Sequence, residues 1–168
     1  MQIAPIPTYW QGYHFRSRLE ARWAVFFTFL EIEFHYEPEG VQLSDGVRYL
    51  PDFFLPVIKH WAEVKPVAFT PEERRKAELL VKESGCPCLF LVGPPDFRFY
   101  DLIELDAGDD LTRCVASLDI DAHYRRYYHR ESRLFANPGE PISEQHSTDQ
   151  YREAVYMSRA ARFERNGT

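Results

Sequence analysis

Asp52, Glu63 and Lys65 are the residues of this chain whose types and spacing could do chemistry together. Glu63 and Lys65 flank Val64 in the run Trp61-Ala62-Glu63-Val64-Lys65, which reads as a strand. Residues two apart on a strand point to the same face, so the carboxylate and the amine share a surface while Val64 turns to the core. Asp52 follows Tyr49-Leu50-Pro51 on the preceding strand, and an antiparallel hairpin turning near Val57 folds it back beside Glu63. Two carboxylates and a lysine on one surface suit phosphodiester hydrolysis. Hard oxygen ligands hold Mg2+ or Mn2+. Such an ion polarises a phosphate and lowers the pKa of a bound water, and a neighbouring lysine orients that water or stabilises the charge developing on phosphorus. Carboxylates alone would repel the substrate; the cation and Lys65 reverse the local sign.

The elements that must position these groups are legible on either side. Residues 1–15 read as an irregular aromatic arm with Tyr9, Trp10, Tyr13 and Phe15. Ser17 opens a helix running to about Leu30, because Leu19, Trp23, Phe26, Phe27 and Leu30 recur at helical spacing as one apolar face. Residues 32–37 alternate like a strand, and Asp45-Gly46 is a hairpin signal. Residues 47–55 read as a second strand broken at Pro51, which a central strand rarely accepts. Trp61 to Lys65 is the third. Thr70-Pro71-Glu72-Glu73 starts a helix with a capping box and ends near Gly85. The apolar run Cys88 to Val92 reads as a strand buried on both faces, and 97–106 adds one short edge strand. The order α-β-β-β-α-β predicts an α/β fold, a mixed β-sheet flanked by helices. Beyond it, 111–135 reads as a helix carrying Arg125, Arg126, Arg130 and Arg133 among Tyr124, Tyr127 and Tyr128; 137–149 as a linker; and 150–165 as a further helix. The chain thus divides into an N-terminal arm (1–15), a core (16–106) and a helical C-terminal extension (107–168).

The motif Pro51-Asp52, ten intervening residues, then Glu63-Val64-Lys65 resembles the signature of the PD-(D/E)XK nuclease superfamily. The element order is similar to that family's restriction-endonuclease-like core, and the family commonly adds an acid from the first helix. Glu20, in Phe15-Arg16-Ser17-Arg18-Leu19-Glu20-Ala21-Arg22-Trp23, matches that position. The resemblance spans Arg16 to Gly93 and leaves 1–15 and 107–168 uncovered. It implies a metal-dependent endonuclease with Glu20, Asp52, Glu63 and Lys65 as catalytic residues. Mg2+ or Mn2+ would be held by Asp52, Glu63, Glu20 and the backbone carbonyl of Val64. It implies DNA as substrate more than RNA, a small bacterial or phage-encoded protein, and a homodimer, since such nucleases often pair to cut both strands. The alternative is a catalytically retired module that keeps the fold and binds nucleic acid or a protein partner.

Duller roles compete at each position. Ser17 and Glu20 spell an S-x-x-E capping box, so Glu20 could serve only its helix. Asp52 could be a turn residue, and Glu63 with Lys65 a solvated strand pair. Arg16, Arg18 and Arg22 on the first helix, and Arg74, Arg75 and Lys76 on the second, are candidates for holding phosphates or plain surface charge. Glu37 and Glu39 fall near the end of the first strand and within reach of a metal. His14, His35 and His60 lack metal-ligand spacing and are assigned no role.

Composition sets outer bounds. The 168 residues match one ordinary domain, and 45% hydrophobic content supports a sizeable core. The net charge of −6 argues against a general nucleic-acid coat protein, although a nuclease needs only a local basic track. Three cysteines, two of them in the tight run Cys86-Pro87-Cys88, read as reduced thiols of a cytoplasmic protein. No run approaches the roughly 18 apolar residues of a membrane span, and the N-terminus lacks the basic and apolar regions of a signal peptide.

Overall fold

The computed structural model describes residues 4–119, 129–130 and 139–163. It opens with a hairpin rather than an irregular arm: β1 (Thr8–Trp10) pairs antiparallel with β2 (Tyr13–Phe15). Gln11 and Gly12 at its tip both have positive φ, as a two-residue type I′ turn requires. Ser17 caps α1 (Arg18–Phe29) by accepting the Glu20 amide at 3.2 Å. Strand β3 (His35–Tyr36) follows, then the hairpin β4 (Val41–Gln42) and β5 (Arg48–Tyr49) around Asp45-Gly46. Pro51 breaks the chain as expected, and β6 (Phe53–Leu55) begins beyond it. Strand β7 (His60–Lys65) leads to α2 (Pro71–Ser84), whose Thr70–Glu73 capping box and left-handed Gly85 are both present. Strand β8 (Cys88–Val92) then runs parallel to β7.

The sheet continues through β9 (Tyr100–Leu105), β10 (Leu111–Ala116) and β11 (His129–Arg130). Among the described residues the seven strands lie in the order β11-β10-β9-β8-β7-β6-β3, and only β7 with β8 is a parallel pair. The fold is mixed α/β with a mixed sheet, as the element order implies. Two further expectations are corrected. The strand at 97–106 is interior, because β10 pairs along its whole length. The helix expected over 111–135 is replaced at 111–116 by that strand, and 129–130 also pair in the sheet. Leu111-Thr112-Arg113-Cys114-Val115-Ala116 is buried progressively from Cys114 onward, as a strand entering the core is; the Arg/Tyr pattern that suggested helix lies downstream. Residues 120–128 and 131–138, with most of that Arg/Tyr cluster, lie outside the described residues. The last expected helix is present as α3 (Asp149–Ala160), capped by Thr148.

The two faces of the sheet are covered separately. Trp23, Phe26 and Phe27 of α1 and Tyr151, Ala154 and Val155 of α3 pack on Ala62, Val64, Leu89 and Leu91. Ala77 and Val81 of α2 pack with Phe69 on Cys88, Phe90 and Ile103. Each large apolar side chain so buried contributes roughly 1.5–3 kcal/mol. Trp23 also donates its indole N–H to the Gly93 carbonyl at 2.9 Å, fixing α1 to the end of β8. Buried Asp101 of β9 accepts Arg74 of α2 at 2.6 Å, tying that helix to the sheet, and also accepts Arg113 of the neighbouring β10 at 2.9 Å. No helix among the described residues is long and apolar enough to cross a membrane.

Candidate active site

The break at Pro51 makes the site. Phe53 pairs with Ala62, and the β6–β7 ladder stops there. The Trp61 amide and the Lys65 carbonyl bond toward β8, so by alternation the backbone groups of Val64 lie along the other edge of β7, facing the break. The Asp52 carboxylate occupies that gap: its Oδ2 accepts the Val64 amide at 2.7 Å. The Val64 carbonyl, the expected backbone ligand, lies on this same edge. Glu63 follows the alternation to the α2 face, only 6% exposed, and its Oε1 accepts the Tyr49 hydroxyl at 2.6 Å.

Asp52 and Glu63 are close enough to titrate as a pair. Burial, with the charges of Glu20 and Glu37, pushes Asp52 up to about 7 against the pull of the Val64 amide and Lys65. Burial and the charge of Asp52 push Glu63 up to about 8 against the Tyr49 hydrogen bond and Lys65. Both directions describe negative charge crowded into a poorly hydrated place.

Glu20 sits at the first turn of α1, 9% exposed. Its carboxylate accepts the Tyr36 hydroxyl at 2.5 Å, the Ser17 hydroxyl at 2.8 Å and the Arg16 amide at 3.2 Å. Glu20 is thus bound into its helix start through Ser17, and its charge also acts on Asp52. Lys65 extends from β7 to α2, where its amine meets Glu73 Oε1 at 3.0 Å. Desolvation pulls the Lys65 pKa down, but Glu73, Glu63 and Asp52 outweigh it, so the amine is raised and stays protonated. The capping-box acid of α2 thus also holds the lysine.

Three neighbours were not assigned these contacts from the sequence. Tyr49 holds Glu63 and Tyr36 holds Glu20; burial first, then the carboxylate each one faces, pushes both phenols up, so both remain donors. Glu37, a candidate only by its place near the end of the first strand, pairs with Arg16 Nε at 2.5 Å. Its backbone is left-handed, and its amide bonds the Asp52 carbonyl at 2.8 Å. The remaining basic candidates point elsewhere. Arg22 bonds the Ser158 and Arg159 carbonyls at the end of α3, Arg75 pairs with Asp45 at 2.8 Å, and Lys76 pairs with Glu72 at 3.1 Å. Arg18 is exposed on α1.

The donor set fits a hard divalent cation. Among the described residues no group of three or more His, Cys, Asp or Glu forms a ready-made metal cage. Mg2+ does not need one, since it is commonly bound by one or two carboxylates with waters and substrate phosphate. A pair of buried carboxylates, raised first by burial and then by the charges of neighbouring acids, is the group such an ion would relieve. Comparison with protein-family models and with curated proteins returns no match to this chain.

Proposed function

We propose that this protein is a metal-dependent nuclease of the PD-(D/E)XK type with a restriction-endonuclease-like core, hydrolysing phosphodiester bonds in DNA. The observation that carries this reading is the convergence of Asp52 and Glu63 at the β6–β7 break, with protonated Lys65 on the same strand. Asp52 and Glu63 would hold Mg2+ or Mn2+, with the Val64 carbonyl on the same edge and Glu20 behind Asp52. A bound ion supplies Lewis-acid polarisation of the scissile phosphate and acidifies water.

The chain's own residues do the rest. The Val64 amide fixes the Asp52 carboxylate, and the Tyr49 hydroxyl fixes that of Glu63. Lys65 is charged at neutral pH, so it acts as a cation and proton donor rather than as a base. Glu73 restrains its amine beside the acids without neutralising the site by contact with Glu63. Tyr36, Ser17 and the Arg16 amide hold Glu20 in place, so its negative charge is fixed near Asp52.

The test is incubation with linear, nicked, single-stranded and four-way DNA in Mg2+, Mn2+ or EDTA. Cleavage of at least one substrate with either metal and none in EDTA is the expected result. Binding without cleavage in every arm would instead identify a retired nuclease-fold module.

A further inference from the structure

The β1–β2 hairpin carries an aromatic surface that the acid cluster does not use. Thr8 and Phe15 pair across it and are both buried, anchoring its root in the core. Tyr9 and His14 pair across it on the opposite face, where both are exposed. Their rings lie parallel, with centroids 4.4 Å apart and planes 13° from each other. Tyr9 is 38% exposed. This is a π surface standing in solvent, held rigid by a tight turn and a buried root.

Its charge and position indicate what it meets. Residues 1–19 contain no Asp or Glu and two arginines, in a chain of net charge −6. The hairpin itself carries no acidic residue, so its surface does not repel a polyanion, and of the two arginines beyond it Arg16 is paired with Glu37. Its second strand runs straight into the proposed site. Phe15 packs on Tyr36 at 4.5 Å between centroids, and the next residue, Arg16, gives its amide to Tyr36 and to Glu20.

We infer that the Tyr9–His14 face of the hairpin stacks an unpaired nucleobase of single-stranded nucleic acid and so positions the strand against the acid cluster. A duplex hides its base faces, whereas an unpaired strand offers them, and aromatic stacking contributes about 1–3 kcal/mol per base. The inference names the substrate class of the site and rests on the nuclease reading for that placement.

The experiment reads binding in EDTA, so it stands whether or not the protein cleaves. Fluorescence anisotropy compares a labelled oligothymidylate with an abasic oligonucleotide of the same length and charge. Wild type should bind the base-bearing strand at least about fivefold more tightly, since roughly 1 kcal/mol corresponds to that ratio. Tyr9→Ala and Tyr9→Leu should erase the preference, Leu keeping apolar bulk without a π face. Tyr9→Phe should keep it. Wild type that binds both strands alike, or neither, overturns the inference, as does a preference that survives in Tyr9→Leu or is lost in Tyr9→Phe. Loss of cleavage with the base preference intact would count against the nuclease reading and not against the stacking surface.

Discussion

Glu63→Gln should stabilise the metal-free protein at alkaline pH. In the folded state Glu63 is raised from 4.5 to about 8 and Asp52 from 3.8 to about 7. Raised carboxylates bind protons more tightly folded than unfolded. Their contribution is therefore fully present below about pH 4 and is lost as the pH rises through 7 and 8. At about 1.4 kcal/mol per pKa unit each shift alone would amount to several kcal/mol. Burial raises both groups and part of the Glu63 shift comes from the charge of Asp52, so the shifts are not additive and on the order of 3 kcal/mol is at stake for removing the Glu63 charge alone. Gln keeps an oxygen for the Tyr49 hydroxyl and removes the charge. For a chain of this size 1 kcal/mol shifts Tm by about 2–4 °C, which sets the expected effect at roughly 6–12 °C. Thermal melts in EDTA from pH 5 to pH 9 measure it. Wild type should lose that much more Tm than Glu63→Gln over the interval, and Mg2+ should restore wild type most at the alkaline end. Parallel pH profiles for the two proteins would show that burial and the charge of Asp52 do not raise Glu63 and would refute the reasoning.

Lys65→Ala should lose catalysis while divalent-metal binding stays near wild type, and Lys65→Arg should remain strongly impaired because a planar guanidinium is a poor proton donor; near-normal turnover in Lys65→Ala would remove the lysine from the mechanism. Glu20→Gln should lower turnover at least tenfold for about 1 kcal/mol of stability, since Ser17 and Tyr36 can still hydrogen-bond the amide; full activity would leave Glu20 as a helix cap alone. Tyr49→Phe should weaken Mn2+ affinity, read by calorimetry, several-fold by freeing the Glu63 carboxylate to rotate, and unchanged affinity would make Tyr49 a packing residue. Arg22→Ala should lower Tm by a few degrees, because about 1–2 kcal/mol of capping at the end of α3 is lost, with DNA affinity untouched; weaker DNA binding at unchanged Tm would restore it to the nucleic-acid surface.

The pairing of Asp52 with Glu63 was legible because it depends on local rules. Proline breaks a ladder, and side chains two apart share a face; the structure adds that Asp52 caps the amide the break exposes. Both helix starts were legible for the same reason, since Ser17 and Thr70 act on amides three residues away. What escaped depends on distance in the chain. Arg22 reads as surface charge until α3, 136 residues on, places its last carbonyls against it. Tyr36 and Tyr49 could have been suspected as hydroxyl donors flanking the acids, but the β4–β5 hairpin that follows Tyr36 and ends on Tyr49 hides their register. The sheet beyond β8 was misjudged because Leu111 to Ala116 resembles a helix start when read with the Arg/Tyr pattern after it. Pairing with β9, which periodicity cannot see, decides for strand.

Cleavage by wild type, Asp52→Ala and Glu63→Ala, each first shown to be folded by its thermal melt, tests the central claim most directly. Wild type should show metal-dependent scission and both variants a loss of at least about a hundredfold, because removing either carboxylate takes away cation affinity and Lewis-acid action together. A folded Asp52→Ala or Glu63→Ala protein that cuts DNA at the wild-type rate would contradict it.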